Sequence, residues 1–482
     1  MNNNPFNLPE EDIVTQPRIH ESAPILINTH TFRKTNIWKD SHVFVLVTFL
    51  AFIFIGIVLL SLPIANNCHL DQTQCTNNNY TPLRISILTA TSAATVTGHI
   101  VVDTSTYWST FGQVIIFTMM LIGGLGFMTA ATFILVLIGQ RSTLPQRILM
   151  KDMGFDKIEG LKKLSFNIIL VVAILYFVGF LSIWVLSTGL FEASSGVRIW
   201  NSIFLSVSAF NNAGFTINSG GTSILNNNYP LISVFVLLII LGGIGWATLV
   251  DVFRHRIFNR LTLTSKLIIT ANIILWIIGF ITFMGLEFAN DTTIGQLGFV
   301  DQIASSIFHS VSGRTAGFTI VEMSNTRDFT KLIYSILMFI GGSPGSVAGG
   351  IKTTVIAIIG VAVISSLRGR SQPEIFGREI AHFQVMKALA VTGISIVIVL
   401  LVTPTITLLH PELPFIDVLF DVFSAYGTTG SSTGIISSLG LPSSVLLSVT
   451  MLLGRLIPLY LAFSLIIENN SYRFMQEQVT LG

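Results

Sequence analysis

The chain has 482 residues, of which 51% are hydrophobic and only 10% are charged, whereas roughly 25% of the residues in an ordinary soluble domain are charged. A water-soluble fold could not bury that much apolar surface, and the formal net charge of +2, carried by scattered Lys and Arg residues, does not suggest a nucleic-acid partner. The composition therefore predicts an integral membrane protein.

The first 42 residues are polar and mixed in charge. They lack the basic start, apolar core and cleavage site of a secretory signal peptide, so residues 1–42 are expected to form a cytoplasmic N-terminal segment. The polar loop after the first apolar segment holds both cysteines of the chain, Cys68 and Cys75. A disulfide on an oxidising face and a pair of free thiols are both open at this point.

Eight apolar segments are long enough to cross about 30 Å of hydrocarbon as helices. They cover residues 43–65, 111–139, 165–190, 229–251, 267–288, 331–364, 387–409 and 440–467. With the N-terminus inside, most of the 26 Lys and Arg residues fall on the inner side, where such residues tend to remain. We therefore expect both termini in the cytoplasm, with a tail at residues 468–482.

Four shorter apolar runs lie between successive pairs of these segments, at residues 82–94, 199–210, 300–312 and 414–425. Runs of this length are typical of re-entrant helices, whose following backbone must face protein or water instead of lipid. Their recurrence at the same place indicates a fourfold internal repeat. The predicted fold is an all-α membrane protein with four helix–pore loop–helix repeats around one central pore. The repeats cover residues 43–139, 165–251, 267–364 and 387–467.

Each short run is followed by a loop that ends in glycine, and the aligned loops are residues 92–98, 208–214, 311–317 and 424–430. A potassium ion sheds its water only where fixed oxygens replace the hydration shell, as four converging loops of backbone carbonyls can do. Glycine adopts the unusual backbone angles that this requires without a steric cost. The predicted filter residues are Thr95, Val96, Thr97, Gly98, Asn211, Asn212, Ala213, Gly214, Thr315, Ala316, Gly317, Thr428, Thr429 and Gly430. A second glycine recurs in each following helix, at Gly123, Gly242, Gly341 and Gly454.

These loops resemble those of the Trk, Ktr and plant high-affinity potassium transporters, and most closely the Ktr-type (KtrB-like) membrane pore subunit, over about residues 40–470. The resemblance rests on residues 95–98 with 101–103, 211–215, 314–318 and 427–430. Some plant relatives that pass sodium carry serine at the first filter glycine, so glycine at all four positions favours potassium. Uptake of sodium, non-selective uptake of monovalent cations, and secondary transport of another solute remain as alternatives.

The sixth apolar segment is interrupted by five glycines and a proline in residues 341–350. Glycine and proline weaken a helix by about 1 and 3 kcal/mol per residue respectively, and an irregular segment at membrane depth must line a cavity. In Ktr-like and Trk-like proteins the corresponding loop obstructs the pore below the filter, near an arginine of the last span. The gate residues implied by this resemblance are Gly341, Gly342, Ser343, Pro344, Gly345, Ser346, Gly349, Gly350 and Arg455.

Several polar residues fall within or beside the membrane. Arg455 is expected to turn inward to loop carbonyls or water, although a purely structural pairing is the alternative. Lys352 could extend to the cytoplasmic surface on its flexible stem, and Arg314 is expected to brace its filter loop. His99 could repel entering cations when protonated or simply pack. The acids that could concentrate cations at the entrance, or merely face water, are Asp103, Asp301, Glu322, Asp328, Asp417 and Asp421.

The sequence therefore predicts passive potassium uptake through a gated filter and no enzymatic activity, since no catalytic cluster lies within the apolar segments. A secondary transporter would show two inverted halves with broken helices, whereas only one predicted span is broken. The resemblance implies a homodimer in a bacterial cell membrane, surrounded by lipid and docked on a KtrA-like ring of nucleotide-binding regulators. Residues 146–163, residues 368–378 and the C-terminal tail are the candidate docking surfaces. No covalent cofactor is expected; ATP or ADP would act through the regulator, and Na⁺ as an activator stays open.

Overall fold

The structure of the protein, a computed structural model, describes residues 41–67, 80–124, 161–189, 195–218, 221–222, 225, 228–370 and 372–464. The chain divides into the units Met1–Phe44 and Val45–Gly482, and nearly all described residues belong to the second. Several predicted features lie outside the described residues. They are the segment before residue 41, both cysteines, the second span beyond residue 124, most of the basic segment 146–163, and the tail.

The described part of the chain is mostly helical. Its α-helices are α1 Ser41–Ser61, α2 Leu83–Thr95, α3 Thr104–Tyr107, α4 Thr110–Gly124, α5 Leu161–Leu186, α6 Ser195–Phe210, α7 Tyr229–Ile244, α8 Trp246–His255, α9 Leu263–Glu287, α10 Phe299–Thr315, α11 Asp328–Phe339, α12 Thr353–Leu367, α13 His382–Leu409, α14 Phe415–Gly427 and α15 Leu441–Ser464. One antiparallel pair of two-residue strands, β1 Glu374–Ile375 and β2 Arg378–Glu379, follows α12. Short 3₁₀ turns occur at Pro63–Ala65, Phe258–Arg260, Met323–Asn325 and Ile435–Ser437.

Among the described residues, three helices have the length and apolar composition needed to cross a bilayer. They are Ile168–Leu186 within α5, α9 and α13, and the pair α7 and α8 makes a fourth if it counts as one bent span. Four further apolar helices are shorter, namely Leu46–Ser61, Thr110–Gly124, Thr353–Leu367 and Leu441–Ile457. Large apolar side chains such as Phe54, Ile281 and Leu400 are more than 60% exposed on these helices, as expected of surfaces that face lipid.

The four short apolar runs form helices α2, α6, α10 and α14, and the C-terminal half of each is buried. Each packs against two or three other helices. The contacts are α2 with α4 and α15, α6 with α4, α5 and α7, α10 with α7, α9 and α11, and α14 with α11, α13 and α15. Because the last long helix, α15, returns to the first short helix, α2, the packing closes on itself.

The recurring glycines of the second long helices allow this close packing in three of the four cases. A Cβ atom on Gly123, Gly242 or Gly454 would clash with the last-turn carbonyl oxygen of the neighbouring short helix, which belongs to Ala94, Phe210 or Tyr426. The glycine Gly341 differs, because its Cβ would clash with the carbonyl oxygen of Gly349 instead. Gly341 therefore serves the loop after α11 and not the neighbouring short helix.

Two of the predicted spans are broken, which corrects the expectation of a single break. The sixth is non-helical between Phe339 and Thr353, where its glycines and proline disfavour helix. The fourth, predicted as continuous over residues 229–251, bends by 101° between α7 and α8. The physical cause is Gly245, whose φ of +90° lies outside the helical region and whose Cβ would clash with the carbonyl oxygen of Pro344.

The glycine contacts predict a marked effect of a single methyl group. Gly242→Ala should lower the unfolding free energy by about 1–3 kcal/mol, because the methyl overpacks the contact with Phe210. Gly393→Ala is the matched control, since Gly393 lies within α13 with no atom near its Cβ position, and alanine should stabilise an open helical site by up to about 1 kcal/mol. Thermal unfolding in detergent measures both, and equal melting temperatures would contradict the assigned contact.

Candidate ion filter and gating loop

The loops that follow the four short helices meet at their final glycines. The φ angles of Gly98, Gly214, Gly317 and Gly430 are +92°, +69°, +71° and +92°, a region that residues with a Cβ rarely adopt. A Cβ on any of them would meet a carbonyl oxygen of the next loop in chain order. The pairs are Gly98 with Ala213, Gly214 with Ala316, Gly317 with Thr429, and Gly430 with Thr97. The four loops therefore close a ring in which no glycine has room for a side chain.

The turn from helix to ring is alike in three of the loops. The residue two before the glycine, Val96, Asn212 or Thr428, has a φ between 50° and 58°. The next backbone N–H then donates to the carbonyl of a serine at the end of the short helix. These bonds are Thr97 to Ser92 at 2.8 Å, Ala213 to Ser208 at 2.8 Å and Thr429 to Ser424 at 2.9 Å.

The third loop reaches its glycine with one residue fewer. Thr315 continues α10, and the N–H of Ala316 donates to Ser312 at 2.8 Å. Ser312, not Val311, thus takes the place of the three other serines, which corrects the register of the sequence alignment by one residue. The other three loops contain one additional residue, which adopts a left-handed conformation, and the third loop has no such non-glycine residue.

The four serines are site residues that the sequence interpretation did not single out. Their hydroxyls fasten the filter loops in two ways. The Ser92 and Ser424 hydroxyls accept from the N–H of Gly98 and Gly430 at 3.0 and 3.1 Å. The hydroxyls of the other two instead donate to the carbonyls after the glycines, Ser208 to Phe215 at 2.8 Å and Ser312 to Phe318 at 2.6 Å. A serine at the end of each short run is the signal that could have revealed them.

The side chains of the predicted filter residues are fully or almost fully buried, and the polar ones among them form hydrogen bonds. The Asn211 amide accepts from the Tyr176 hydroxyl at 2.7 Å and donates to the Met120 carbonyl at 3.1 Å. The Thr95 and Thr97 hydroxyls bond each other at 2.7 Å. Thr429 donates to the Arg314 carbonyl at 3.1 Å, so neighbouring loops are cross-linked. These hydrogen bonds occupy the polar side chains, which leaves backbone carbonyls as the oxygens available at the ring.

His99 is completely buried, and its Nε2 lies 3.0 Å from the hydroxyl of Ser424. It therefore links the first loop to the fourth, which agrees with the packing interpretation and not with a residue that meets entering ions. Arg314 is also buried, but its guanidinium turns away from the filter loop. It donates to Asn272 Oδ1 at 2.5 Å and to the Gly341 carbonyl at 3.4 Å, so it braces the loop after α11 instead of its own.

The six acids proposed for the entrance fall into different environments. Asp421 is buried and accepts from the N–H of Thr433 at 3.2 Å, and Asp417 is paired with Lys331 at 2.8 Å. Both carboxylates are therefore engaged with other groups of the protein. The remaining four either bond nearby groups or face solvent. Asp103 accepts from the Ser105 N–H, Asp301 from the Tyr229 hydroxyl and Glu322 from Asn325, and the Asp328 side chain is 81% exposed.

Residues 340–352 form a buried loop that is hydrogen-bonded to three other parts of the molecule. The N–H groups of Ser343 and Val347 donate to the carbonyls of Gly243 and Gly242 at 3.0 and 3.2 Å. The Trp246 N–H donates in return to Gly345 at 3.3 Å. On the other side, Gly349 donates to the Thr428 hydroxyl at 2.9 Å and Gly350 to the Gly454 carbonyl at 3.2 Å. The loop thus connects the broken fourth span to the fourth filter loop and to α15.

Two cationic side chains, those of Arg455 and Lys352, bond carbonyl oxygens of this loop. Arg455 on α15 donates to the carbonyl of Val347 and, at 2.7 Å, to that of Gly123, as the inward orientation predicted. Lys352 donates to Ala348 at 2.6 Å, so it folds back on its own loop and does not extend to the surface. Within the described ranges, no group of three His, Cys, Asp or Glu side chains is placed to hold a metal ion.

Comparisons with known proteins agree on one family. The family model described as TrkH, cation transport protein, matches residues 54–474. The chain is 35% identical to Ktr system potassium uptake protein B of Bacillus subtilis, covering 89% of this chain and 94% of that one. It is 33% identical to the protein of the same name from Vibrio alginolyticus, with coverages of 87% and 90%. It is 31% identical to potassium/sodium uptake protein NtpJ of Enterococcus hirae, with coverages of 82% and 89%.

A solved structure shares the fold. The potassium transporter TrkH from Vibrio parahaemolyticus matches with a TM-score of 0.62 at 16% identity, covering 87% of this chain and 84% of that one. Together with the apolar helices, the family match makes the chain a multi-pass membrane protein and a transporter instead of an enzyme. The chain belongs to the TrkH family of cation transport proteins.

Proposed function

We propose that this chain forms a potassium-selective pore from four helix–pore loop–helix repeats with eight spans, at residues 43–139, 165–251, 267–364 and 387–467. The carrying observation is the closed ring of Gly98, Gly214, Gly317 and Gly430. Four backbone loops that meet at one place inside an apolar membrane protein can supply the convergent carbonyls that replace the hydration shell of K⁺. The ion would pass down the membrane potential without a covalent cofactor.

The filter oxygens would be backbone carbonyls of the fourteen residues at positions 95–98, 211–214, 315–317 and 428–430. The polar side chains in these loops already have hydrogen-bond partners, which favours this assignment over side-chain coordination. Glycine at all four ring positions favours K⁺ over Na⁺. The relatives named as potassium uptake proteins support the same ion.

Uptake of both K⁺ and Na⁺ is the second candidate, because one relative is named a potassium/sodium uptake protein. Na⁺ could be transported, or it could activate K⁺ flux. A secondary transporter has less support although two spans are broken, since both breaks meet at one loop instead of lining two inverted halves. Measuring K⁺ uptake over a range of Na⁺ concentrations separates transport of Na⁺ from activation by it.

The loop at residues 341–350 would act as the gate below the filter, together with Arg455. The guanidinium is bonded to the loop at Val347, and Lys352 is bonded to it at Ala348. These two positive charges would strongly repel a K⁺ ion that reaches the loop, because little water is there to screen them. The pore would therefore conduct when the loop and its bonded cations move aside.

The pore is proposed to work as a homodimer whose cytoplasmic side docks on a KtrA-like ring of nucleotide-binding regulators. The word "system" in the names of two relatives implies a further component. Residues 368–378 include strand β1 and the exposed Arg378 of strand β2 and would form part of the docking surface. ATP or ADP would act through this ring, and both termini would lie in the bacterial cytoplasm.

Flux through the purified protein tests the proposed function directly. Vesicles containing the chain should take up radioactive Rb⁺, used as a K⁺ substitute, when a K⁺ gradient makes their interior negative. Expression should also restore growth on low potassium to cells that lack potassium uptake. Protein that reaches the membrane yet supports neither flux nor growth, with the regulator present, would overturn the proposal.

A serine at the first ring glycine should impair selectivity. In Gly98→Ser the side chain would clash with the Ala213 carbonyl at a φ of +92°, so the ratio of Rb⁺ to Na⁺ uptake should fall by about tenfold or more. Gly434→Ser is the matched control, because Gly434 has the same φ of +92° and no atom near its Cβ position. An equal change of selectivity in both variants would argue against the filter assignment.

Neutralising the gate cation should raise the basal flux. Arg455→Gln removes the positive charge and weakens the bonds to Val347 and Gly123, so Rb⁺ uptake without regulator should increase about threefold or more. Arg455→Lys keeps the positive charge but lacks the guanidinium group that donates to two carbonyls at once. It therefore separates the effect of the charge from the effect of the hydrogen bonds. Arg378→Gln, on the exposed strand β2, serves as the control. Basal uptake that stays at the wild-type level in Arg455→Gln would refute the proposal that the charge of Arg455 hinders cation passage.

A further inference from the structure

Helix α8 and the turn after it expose both apolar and basic side chains. Val250, Phe253 and Ile257 are 49%, 72% and 51% exposed, and Arg254, Arg256 and Arg260 are exposed among them. The opposite face of α8 is buried at Thr248 and Asp251. These six exposed side chains, called the α8 surface below, therefore belong to a helix with one face fixed on the protein and the other uncovered.

The position of this surface relative to the membrane follows from the hydrogen bonds of Asp251. Asp251 accepts hydrogen bonds from the N–H and the hydroxyl of Thr262, both at 2.9 Å. Thr262 is the N-cap of α9, which has 25 residues and the length and composition of a membrane span. A residue bonded to the first turn of such a helix lies at the edge of the hydrocarbon. The 101° bend at Gly245 turns α8 away from the direction of α7 at this level.

We propose that the α8 surface lies in the membrane interface and binds anionic phospholipid headgroups. The three arginines would bond the phosphates, while Val250, Phe253 and Ile257 enter the boundary between headgroups and acyl chains. Amphipathic helices with basic and aromatic side chains bind interfaces in this way. Positive charges near the surface of an anionic membrane each add to the attraction.

A lipid fits this surface better than a soluble regulator. The large apolar side chains and the arginines are interspersed along residues 250–260 instead of occupying separate segments, and they lie close to the start of α9. A cytosolic protein would have to reach between the headgroups to cover Phe253. The regulator or a second copy of the chain could cover the α8 surface instead, and the experiment below distinguishes these two proteins from lipid.

The contact would have a consequence at the gating loop. The first residue of α8, Trp246, donates its N–H to the Gly345 carbonyl, and Gly245 packs against Pro344. Lipid that holds α8 in the interface would therefore hold one support of this loop. This consequence rests on the proposed gating function, whereas the lipid contact itself does not.

A spin label on the α8 surface measures the contact. The label is attached at Val250→Cys after Cys68→Ser and Cys75→Ser, and the full chain is placed in vesicles of phosphatidylcholine with or without phosphatidylglycerol. With phosphatidylglycerol the label should become more accessible to oxygen and less accessible to a water-soluble nickel chelate. The same label at Glu379→Cys on the exposed strand β2 should stay accessible to the chelate. A Val250 label that stays equally accessible to the chelate in both membranes would overturn the proposal.

Charge removal tests the role of the arginines. The triple variant Arg254→Gln, Arg256→Gln and Arg260→Gln should lose the response to phosphatidylglycerol, with about tenfold or more of the lipid needed for the same label depth. The matched triple variant Arg368→Gln, Arg370→Gln and Arg378→Gln removes the same charge elsewhere and should respond like the parent. An equal response in both triple variants would refute headgroup recognition. Protection of the label that appears only when regulator or a higher protein density is added would assign the surface to a protein and refute the lipid.

Rb⁺ uptake in the same vesicles separates the two parts of the inference. Flux that changes with phosphatidylglycerol in the parent, but not in the Arg254, Arg256 and Arg260 triple variant, supports the coupling to the gating loop. A label that enters the interface while flux stays constant supports the lipid contact and overturns the coupling. Absent flux in every membrane counts against the proposed pore and leaves the label result as an independent measure of the lipid contact.

Discussion

Backbone that leaves a helix inside a membrane must still find a hydrogen-bond partner for every N–H and C=O, and much of this structure follows from that constraint. The loop at residues 340–352 has donors at Ser343 and Val347 that its own turns do not satisfy. The carbonyls of Gly242 and Gly243 in the last turn of α7 would likewise lack intrahelical partners, because the helix ends at Ile244. The unpaired N–H groups of the loop donate to the unpaired carbonyls at the end of α7, so each break supplies the hydrogen-bond partners of the other. Without the bend at Gly245, α7 would continue and its own N–H groups would occupy these carbonyls.

The same constraint connects this loop to the ring of glycine-ended loops. Gly349 donates to the hydroxyl of Thr428, a residue held at a φ of 50° in the turn that leads to the ring. Each such bond contributes about 0.5–1.5 kcal/mol net, and an unpaired buried group costs about 1–3 kcal/mol. The loop therefore cannot leave its position one residue at a time. It has to move with substitute partners, such as water, available to several groups together.

Much of this arrangement could be predicted from the sequence, because it depends on local composition. The short helices follow from apolar runs too short to span, and the break after Phe339 follows from five glycines and a proline. The break at Gly245 could not be predicted in this way. A glycine inside an apolar helix costs only about 1 kcal/mol, so residues 229–251 appear continuous until the Pro344 carbonyl occupies the space where a Cβ would lie.

Register and side-chain direction were harder to predict for the same reason. The third loop was aligned on Gly317, and nothing local shows that Thr315 stays helical while its counterparts turn left-handed. For Lys352 the flexible stem predicts a side chain that could extend to the cytoplasmic surface, whereas in the structure it bonds its own loop. The choice depends on the Ala348 carbonyl, which becomes available only after the loop has folded.

Three cationic side chains converge on this one loop. Arg314 donates to Gly341, Arg455 to Val347 and Lys352 to Ala348. Among the described residues none of the three forms a salt bridge, so carbonyl dipoles compensate their charges instead of carboxylates. Part of this compensation depends on the loop conformation, because Gly341, Val347 and Ala348 belong to the loop. The other acceptors, Asn272 for Arg314 and Gly123 for Arg455, lie outside it. A displacement of the loop would therefore also change the position of these charges. In the proposed gate, the steric barrier and the electrostatic barrier to a cation would form a single structural unit.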